Sequence, residues 1–436
     1  MNFQQAKPGT IRASLRYPSF RWLLGGLAVS QLGDWLYNLA LIALVYERTH
    51  SALWAGITTA ARVVPIVTLG PLGGLVADRF DRRRIMITCD VARIVLMVLL
   101  ALFVVTRAPI VLAPLVAAVA TAFATPYLPC VAGITPRLVD DADLPGANAG
   151  RSAVNALGII AGPALGGVLL LLGSPALAFL LNAVTFGLAA LAVLAIPAGQ
   201  VFRPGRPDGD TEGLLHGIAT GAAVLRSCPG ALRLVGADIM CSTIYGTQTV
   251  LLLLVSRSLG MGAHGYGYLF AGIGAGALGG TALAGRVQRW GHPRQVLAAA
   301  LCAVGLPMPL LAIVGWPAAA IALVAATGMG AVLVEILTDT GLQRMLDEDV
   351  FGRAYGLALP ASLGGIVVGS LAAPLVVAAL GVTGALLAVG LAVLAYALIL
   401  LRRVPAQRQS GTAQAEPVTE PVTGPEPAGR VLVAQP

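Results

Sequence analysis

The sequence predicts an all-α integral membrane protein of twelve transmembrane helices, arranged as two parallel six-helix repeats. Three observations carry this reading. Apolar runs of about 20 residues, the length that crosses a hydrocarbon layer about 30 Å thick, recur along nearly the whole chain. The arginines gather in alternate joints between those runs. A shift of 207 residues brings the first half of the chain into sparse register with the second.

The 436 residues are 57% hydrophobic and 11% charged, with a mean hydropathy of +0.84. A soluble domain carries roughly 25% charged residues, so this chain lacks the charge to cover a water-facing surface. Its net charge of +8 is spread over short joints rather than gathered on one soluble face, which argues against nucleic acid as a partner. Lys7 is the only lysine, so no Walker phosphate loop exists and the chain does not bind ATP by that route. Cys89, Cys130, Cys228, Cys241 and Cys302 are odd in number and scattered, and they suggest neither a disulfide framework nor a metal site. No cofactor is implied.

Apolar helical segments fall near 20–46, 52–77, 84–106, 109–133, 146–172, 175–196, 230–256, 264–287, 295–314, 317–342, 355–380 and 382–402. The first is too long for a signal sequence and lacks a clear cleavage site, so it reads as a retained span. Arginines precede span one and fill the joints after spans two, four, six, eight and ten, whereas the opposite joints hold only Arg48, Arg107 and Arg257. The positive-inside rule then places both termini in the cytoplasm of a multi-pass cell-membrane protein. Trp22, Trp54, Trp290 and Trp316 sit at span ends, as an interfacial belt requires, while Trp35 does not.

The expected organisation is a cytoplasmic tail at 1–19, a six-helix bundle at 20–196, a cytoplasmic linker at 197–229, a second bundle at 230–403 and a disordered tail at 404–436. Within the linker, Glu212 to Arg226 fits either a helix lying on the membrane surface or a plain connection. The tail is rich in proline and poor in bulky apolar residues. In the 207 register Gly73 meets Gly280, Arg79 meets Arg286, Arg82 meets Arg289, Arg137 meets Arg344 and Gly158 meets Gly365. An even number of spans per unit gives both halves one orientation, the construction of a major class of secondary transporters.

The joint "GGLVADRFDRRR" resembles the loop motif G-x-x-x-D-R-x-x-R-R of the major facilitator superfamily, carried by Gly74, Asp78, Arg79, Arg82 and Arg83, with Asp81 where many members have glycine. Span five holds "GIIAGPALGG", whose Gly158, Gly162, Pro163, Gly166 and Gly167 resemble the glycine-proline signature of the superfamily's antiporters, although Ala149 stands where the longer form has glycine. The stretches "SQLGDWLYNLALIALVYERT" and "CDVARIVL" are similar to the branch of siderophore exporters and macrolide-efflux proteins. The resemblance covers roughly residues 18–403. It implies alternating access, an exporter's direction, and an Asp78 that caps the N-terminal end of helix eleven, with Arg79, Arg82 and Arg83 as alternative partners. One feature departs from the drug–proton antiporters: span four has no arginine before Arg137, so their usual proton relay does not carry over.

Ionisable groups inside a span cost about 2.5–3.5 kcal/mol on insertion scales and normally face a cavity or a partner. Asp34 and Arg62 each lie 14 residues from Arg48, which in an antiparallel pair puts them at one depth. They read as a structural ion pair or as a cavity pair sensing substrate or proton. Gln31, Asp34 and Asn38 share one helical face. Asp238, Ser242 and Tyr245 repeat the idea on span seven, where Gln31 meets Asp238 in the internal register. Both stripes fit a water-accessible central cavity, or helix–helix hydrogen bonding. Glu335 and Asp339 are four apart on span ten, a spacing that suits a proton carrier, or that leaves Asp339 solvated or paired with Arg344. Asp90 and Arg93 on span three are expected to pair with each other or to reach the Asp78 loop, supporting a gate. The span-five glycines allow close helix approach.

The function expected is a monomeric secondary transporter in the lipid bilayer, exporting a small amphipathic molecule in exchange for protons. An importer on the same fold is the first rival. A polytopic enzyme is the second, opposed by His50, His216, His264 and His292 all lying in or near loops or span ends.

Overall fold

The computed structural model describes residues 10–171, 174–203, 222–223, 225–287, 293–346 and 348–401. These residues form helices and connecting turns, with no strand among them. After the short α1 (Ile11–Ser14) come α2 (Pro18–Thr49), α3 (Ala52–Arg79), α4 (Arg82–Thr106), α5 (Leu112–Ala124), α6 (Tyr127–Ile134), α7 (Leu144–Leu171) and α8 (Pro175–Ala195). The second half holds α9 (Pro229–Ser258), α10 (Gly262–Val287), α11 (Pro293–Gly305), α12 (Pro307–Leu311), α13 (Pro317–Met345) and α14 (Glu348–Leu401).

Local chemistry sets the joints. Pro18, Pro175, Pro229 and Pro317 begin helices, where the missing N–H costs nothing and φ is already helical. The Asp81 carboxylate accepts the Arg84 N–H at 2.9 Å and caps α4. Helices α2 and α4 each end on a residue in the left-handed region, His50 at φ 48° and Arg107 at φ 53°. Arg48 donates to the carbonyls of Phe103, Val104 and Ala108, satisfying the end of α4 where a cation is also favoured by the dipole. Span four is broken at Pro126 into α5 and α6, and span nine before Pro307 into α11 and α12.

Helix α14 has 54 residues and cannot cross the bilayer as one rod, since about 1.5 Å per residue would make it far longer than the layer. It breaks at Gly381, whose φ of 70° is non-helical. Ala358 packs with Ala231 and Val235, and the Tyr396 hydroxyl donates to the Arg233 carbonyl at 3.0 Å. Both arms of α14 therefore return to the same end of α9, and the chain reverses near Gly381. Ten segments among the described residues are long and apolar enough to cross a membrane. The twelve spans are reached by counting both arms of the last segment and α7, many of whose side chains lie outside the described set.

Helices α7 and α10 pack against each other across the two halves, and the apolar clusters of the described side chains join the halves at one end. Phe20, Met86, Tyr127 and Phe202 form a cluster at the end bearing the Asp78 loop, drawn from the first half alone. Leu297, Leu301, Val334 and Val393 form a counterpart in the second half. At the opposite end Leu39, Ile42, Tyr46 and Ala55 pack with Val250 to Leu253, Val255 and Leu386. That cluster is the one among the described residues that contains both halves. It is reinforced by a Thr59–Thr249 hydroxyl bond at 3.2 Å and by the Arg257 guanidinium 4.5 Å over the Tyr46 ring. Gly56 of α3 lies against the Ser370 carbonyl of α14, in space no side chain could share.

The start of the linker is fixed to the first half: Arg137 donates to the carbonyls of Gln200, Val201 and Arg203, and Phe202 is buried. Most of the stretch from Glu212 to Arg226, Trp290 and the tail beyond Leu401 lie outside the described residues. Trp22 and Trp316 are exposed near helix starts, while Trp54 packs on the first half.

Candidate functional site

Two groups of polar side chains lie at mid-depth, one in each half. In the first half Asp34 is bound by Arg93, whose Nη2 lies 2.7 Å from both carboxylate oxygens. The expected Asp34–Arg62 pair is not formed. Arg62 instead donates from Nε to the Tyr37 hydroxyl at 2.8 Å and from Nη1 to the Asn38 side-chain oxygen, with its guanidinium over the Tyr37 ring. Counting from Arg48 set the depth of the two charges but not their direction round the helices. Asp34 looks toward α4 and α8, where Phe186 carries the Arg93 guanidinium 3.7 Å above its ring, while Arg62 reaches the next face of α2.

The expected Asp90–Arg93 pair also fails, because Arg93 is engaged by Asp34. Asp90 is 0% exposed, and neither of its carboxylate oxygens has a hydrogen-bond partner within 3.5 Å. Arg93 and Tyr127 are its polar neighbours. Gln31 donates to the Asn155 side-chain oxygen at 2.6 Å, tying α2 to α7. The same two helices approach closely at Gly158, where an added Cβ would stand 3.1 Å from the Gln31 Cβ. Gly162, Pro163, Gly166 and Gly167 lie outside the residues whose side-chain surroundings are described.

In the second half Asp238 accepts the Ser362 hydroxyl. Glu335 is exposed and Asp339 half-buried, and both lie within electrostatic reach of Asp238. Among the described residues these three carboxylates form no ion pair, and the expected Asp339–Arg344 contact is not made. Ser242 is half-buried, and the Tyr245 ring meets Phe270 edge-on at 6.2 Å. The second-half group is thus acidic, whereas the first-half group is an ion pair plus the free charge of Arg62. Charged side chains at this depth normally mark a pathway.

At the loop, Asp78 is 65% exposed and sits 3.5 Å from Arg82. Arg82 is buried and donates to the Ala77 and Gly133 carbonyls. Arg83 donates to the Leu194 carbonyl and covers the Phe202 ring, Arg79 is exposed, and Gly74 borders open space. The expected contact between Asp78 and the start of helix eleven falls on side chains outside the described residues.

Several working residues escaped the sequence reading. Asp81 as a helix cap was legible, being an acid directly before a helix start. Ser362, Tyr37 and Phe186 carry no local signal, since each is an ordinary residue of an apolar helix until its partner is known.

Two halves built of membrane-length helices, each with its own group of buried polar and charged side chains, match a membrane transporter of the major facilitator type. The chain belongs to the family of transmembrane secretion effectors, MFS_3, whose profile matches residues 10–433. It is 28% identical to the MFS-type transporter YfiS of Bacillus subtilis (strain 168) over 87% of this chain and 91% of that protein. It is 27% identical to the multidrug efflux pump Tap of Mycobacterium tuberculosis (strain ATCC 25618 / H37Rv), over 94% of this chain and 99% of Tap. The enterobactin exporter EntS of Salmonella paratyphi A is 26% identical over 81% of this chain and 84% of EntS. Among solved structures the fold matches a bacterial homologue of the iron transporter ferroportin in an inward-facing state, with TM-score 0.67, 15% identity, and coverage of 88% and 99% of the two chains.

Proposed function

We propose that this protein exports a small amphipathic organic molecule, a drug, siderophore or secondary metabolite, by alternating access coupled to proton entry. The observation that carries the reading is the one-ended junction. Among the described side chains, the halves share one apolar cluster, at the end remote from the Asp78 loop, and at the loop end each keeps its own. With the arginine-rich joints in the cytoplasm, the central polar groups open inward, ready to receive cargo from the cell. The two six-helix bundles then act as the moving units, within one monomer. Export is supported by likeness to Tap and EntS, and by the span-five signature.

Gln31, Asp34, Asn38 and Arg62 would face the cargo from one side, and Asp238, Ser242, Tyr245, Glu335 and Asp339 from the other. The uncompensated acids of the second half favour a cationic amphipath. A test is a panel of ethidium, macrolides and siderophores given to cells stripped of their own pumps, with and without a protonophore. Expression of this chain should lower accumulation of at least one compound, and the protonophore should erase the difference. Accumulation that rises on expression would make the protein an importer.

The loop supplies a second expectation. When the halves close at the loop end, Asp78 leaves Arg82 and caps the start of helix eleven, where the dipole favours an anion by about 0.3–1 kcal/mol. Asp78→Asn should therefore shift the balance toward the inward-open form by about two- to fivefold and lower the transport rate. Cysteine-accessibility ratios at the two ends of the cavity would measure the shift. Lost expression with an unchanged ratio would reduce the loop to a topological role.

A further inference from the structure

Asp90 is the buried carboxyl group of α4. It lies three residues from Arg93 on α4, a spacing that puts both on one helical face. It is 0% exposed, and neither oxygen has a hydrogen-bond partner within 3.5 Å, although the Tyr127 hydroxyl is near enough to interact with the carboxyl group. The groups that face it are Arg93 and Cys89 from α4, Asp34 from α2, and Tyr127 from α6. From α8 comes only the Phe186 ring under Arg93. One guanidinium thus stands between two carboxylates and is bound to Asp34 alone.

An ionised carboxylate buried without a partner costs several kcal/mol even after relaxation. A neutral carboxylic acid with an unmet hydroxyl costs about 1–3 kcal/mol. The difference decides the occupant: with one cation and two acids, a single added proton makes the group neutral, and the buried, unbonded acid is where it sits.

We propose that Asp90 holds the transported proton in this conformation and is the second docking point for Arg93, so that a cationic substrate binding Asp34 hands Arg93 to Asp90 and expels the proton. This rests on the antiport reading above and gives it a residue-level exchange. Before binding, the group comprises anionic Asp34, cationic Arg93 and protonated Asp90. Afterwards the substrate cation faces Asp34, and Arg93 faces an ionised Asp90. The O–H bond of Asp90 breaks, its electron pair stays on the carboxylate, and the proton leaves to the cavity water that reaches Asp34, which is 25% exposed. One positive charge enters as one leaves, so a monovalent cation exchanges electroneutrally with one proton.

Infrared and proton-release measurements on the full-length protein in nanodiscs test this, with ethidium as the probe. The resting wild type at neutral pH should show a protonated-carboxyl carbonyl band that is absent from Asp90→Asn and retained in Glu335→Gln. Adding ethidium in weak buffer should remove that band and release one proton per site. Because proton and substrate compete, wild-type ethidium affinity should rise with pH by up to about tenfold per unit, and in Asp90→Asn that dependence should be lost. Asp90→Glu should restore it. A resting band that survives in Asp90→Asn, or ethidium binding to the wild type without proton release, would overturn the proposal. A protein that never binds ethidium would count against the cationic-export reading, while the resting band still decides where the proton sits.

Discussion

Asp34→Asn is expected to abolish transport while leaving the protein inserted in the membrane. The carboxylate is the one partner of Arg93, whose guanidinium is buried against Phe186. Removing one member of a buried pair costs about 3–5 kcal/mol where the remaining charge finds no other partner, and here Asp90 beside Arg93 offsets part of that loss. Asp34 is partly exposed, so the loss should fall toward the lower end of that range. Two readouts separate the roles of the pair. Thermal unfolding in detergent should show Asp34→Asn destabilised and the double variant Asp34→Asn/Arg93→Gln partly recovered, since no lone charge then remains. Ethidium efflux should be absent from both. Efflux at the wild-type rate in Asp34→Asn would remove the pair from the transport pathway.

Gly56→Val should trap the protein in the opposite conformation. A Cβ on Gly56 collides with the Ser370 carbonyl and stands 3.2 Å from the Pro374 ring. The obstacle is backbone, so no change of rotamer relieves it, and α3 and α14 must separate at the joined end. Overpacking of this kind costs about 1–3 kcal/mol, which is about a five- to 150-fold change in the balance between two conformations. The buried Thr249, bonded here to Thr59, should become accessible: a cysteine at position 249 would react with a membrane-impermeant reagent from outside only in the Gly56→Val background. Equal protection in both backgrounds would mean that the junction is a fixed seam.

Much of the architecture was legible because a bilayer restricts the possibilities so strongly. Span lengths and the break between 380 and 382 follow from apolar runs interrupted by turn residues, and the reversal falls at Gly381 as expected. The depth of a charge could also be read, since rise per residue is fixed. Direction round the helix could not. The Asp34–Arg62 expectation failed there: a shared depth is compatible with several neighbours, and the Asp34 partner proved to be Arg93 on α4 rather than Arg62 on α3. Asp90 is left without an ion-pair partner for the same reason, because Arg93 is bound by Asp34. The end at which the halves meet was hidden for another reason. Both ends of each helix carry adequate apolar residues, and the choice between them belongs to the conformation rather than to any local stretch.

Alternating access makes the two ends of the molecule move in opposition, and paired spin labels measure that directly. Arg84 and Met345 are exposed on the two halves at the loop end, and Arg107 and Ile313 are exposed at the joined end. Distances within each labelled pair would be recorded in nanodiscs with and without ethidium, across a range of pH. Alternating access predicts that a shift in conditions shortening the Arg84–Met345 distance lengthens the Arg107–Ile313 distance in the same proportion of molecules. Distances that stay fixed at both ends, or that lengthen together, would contradict it.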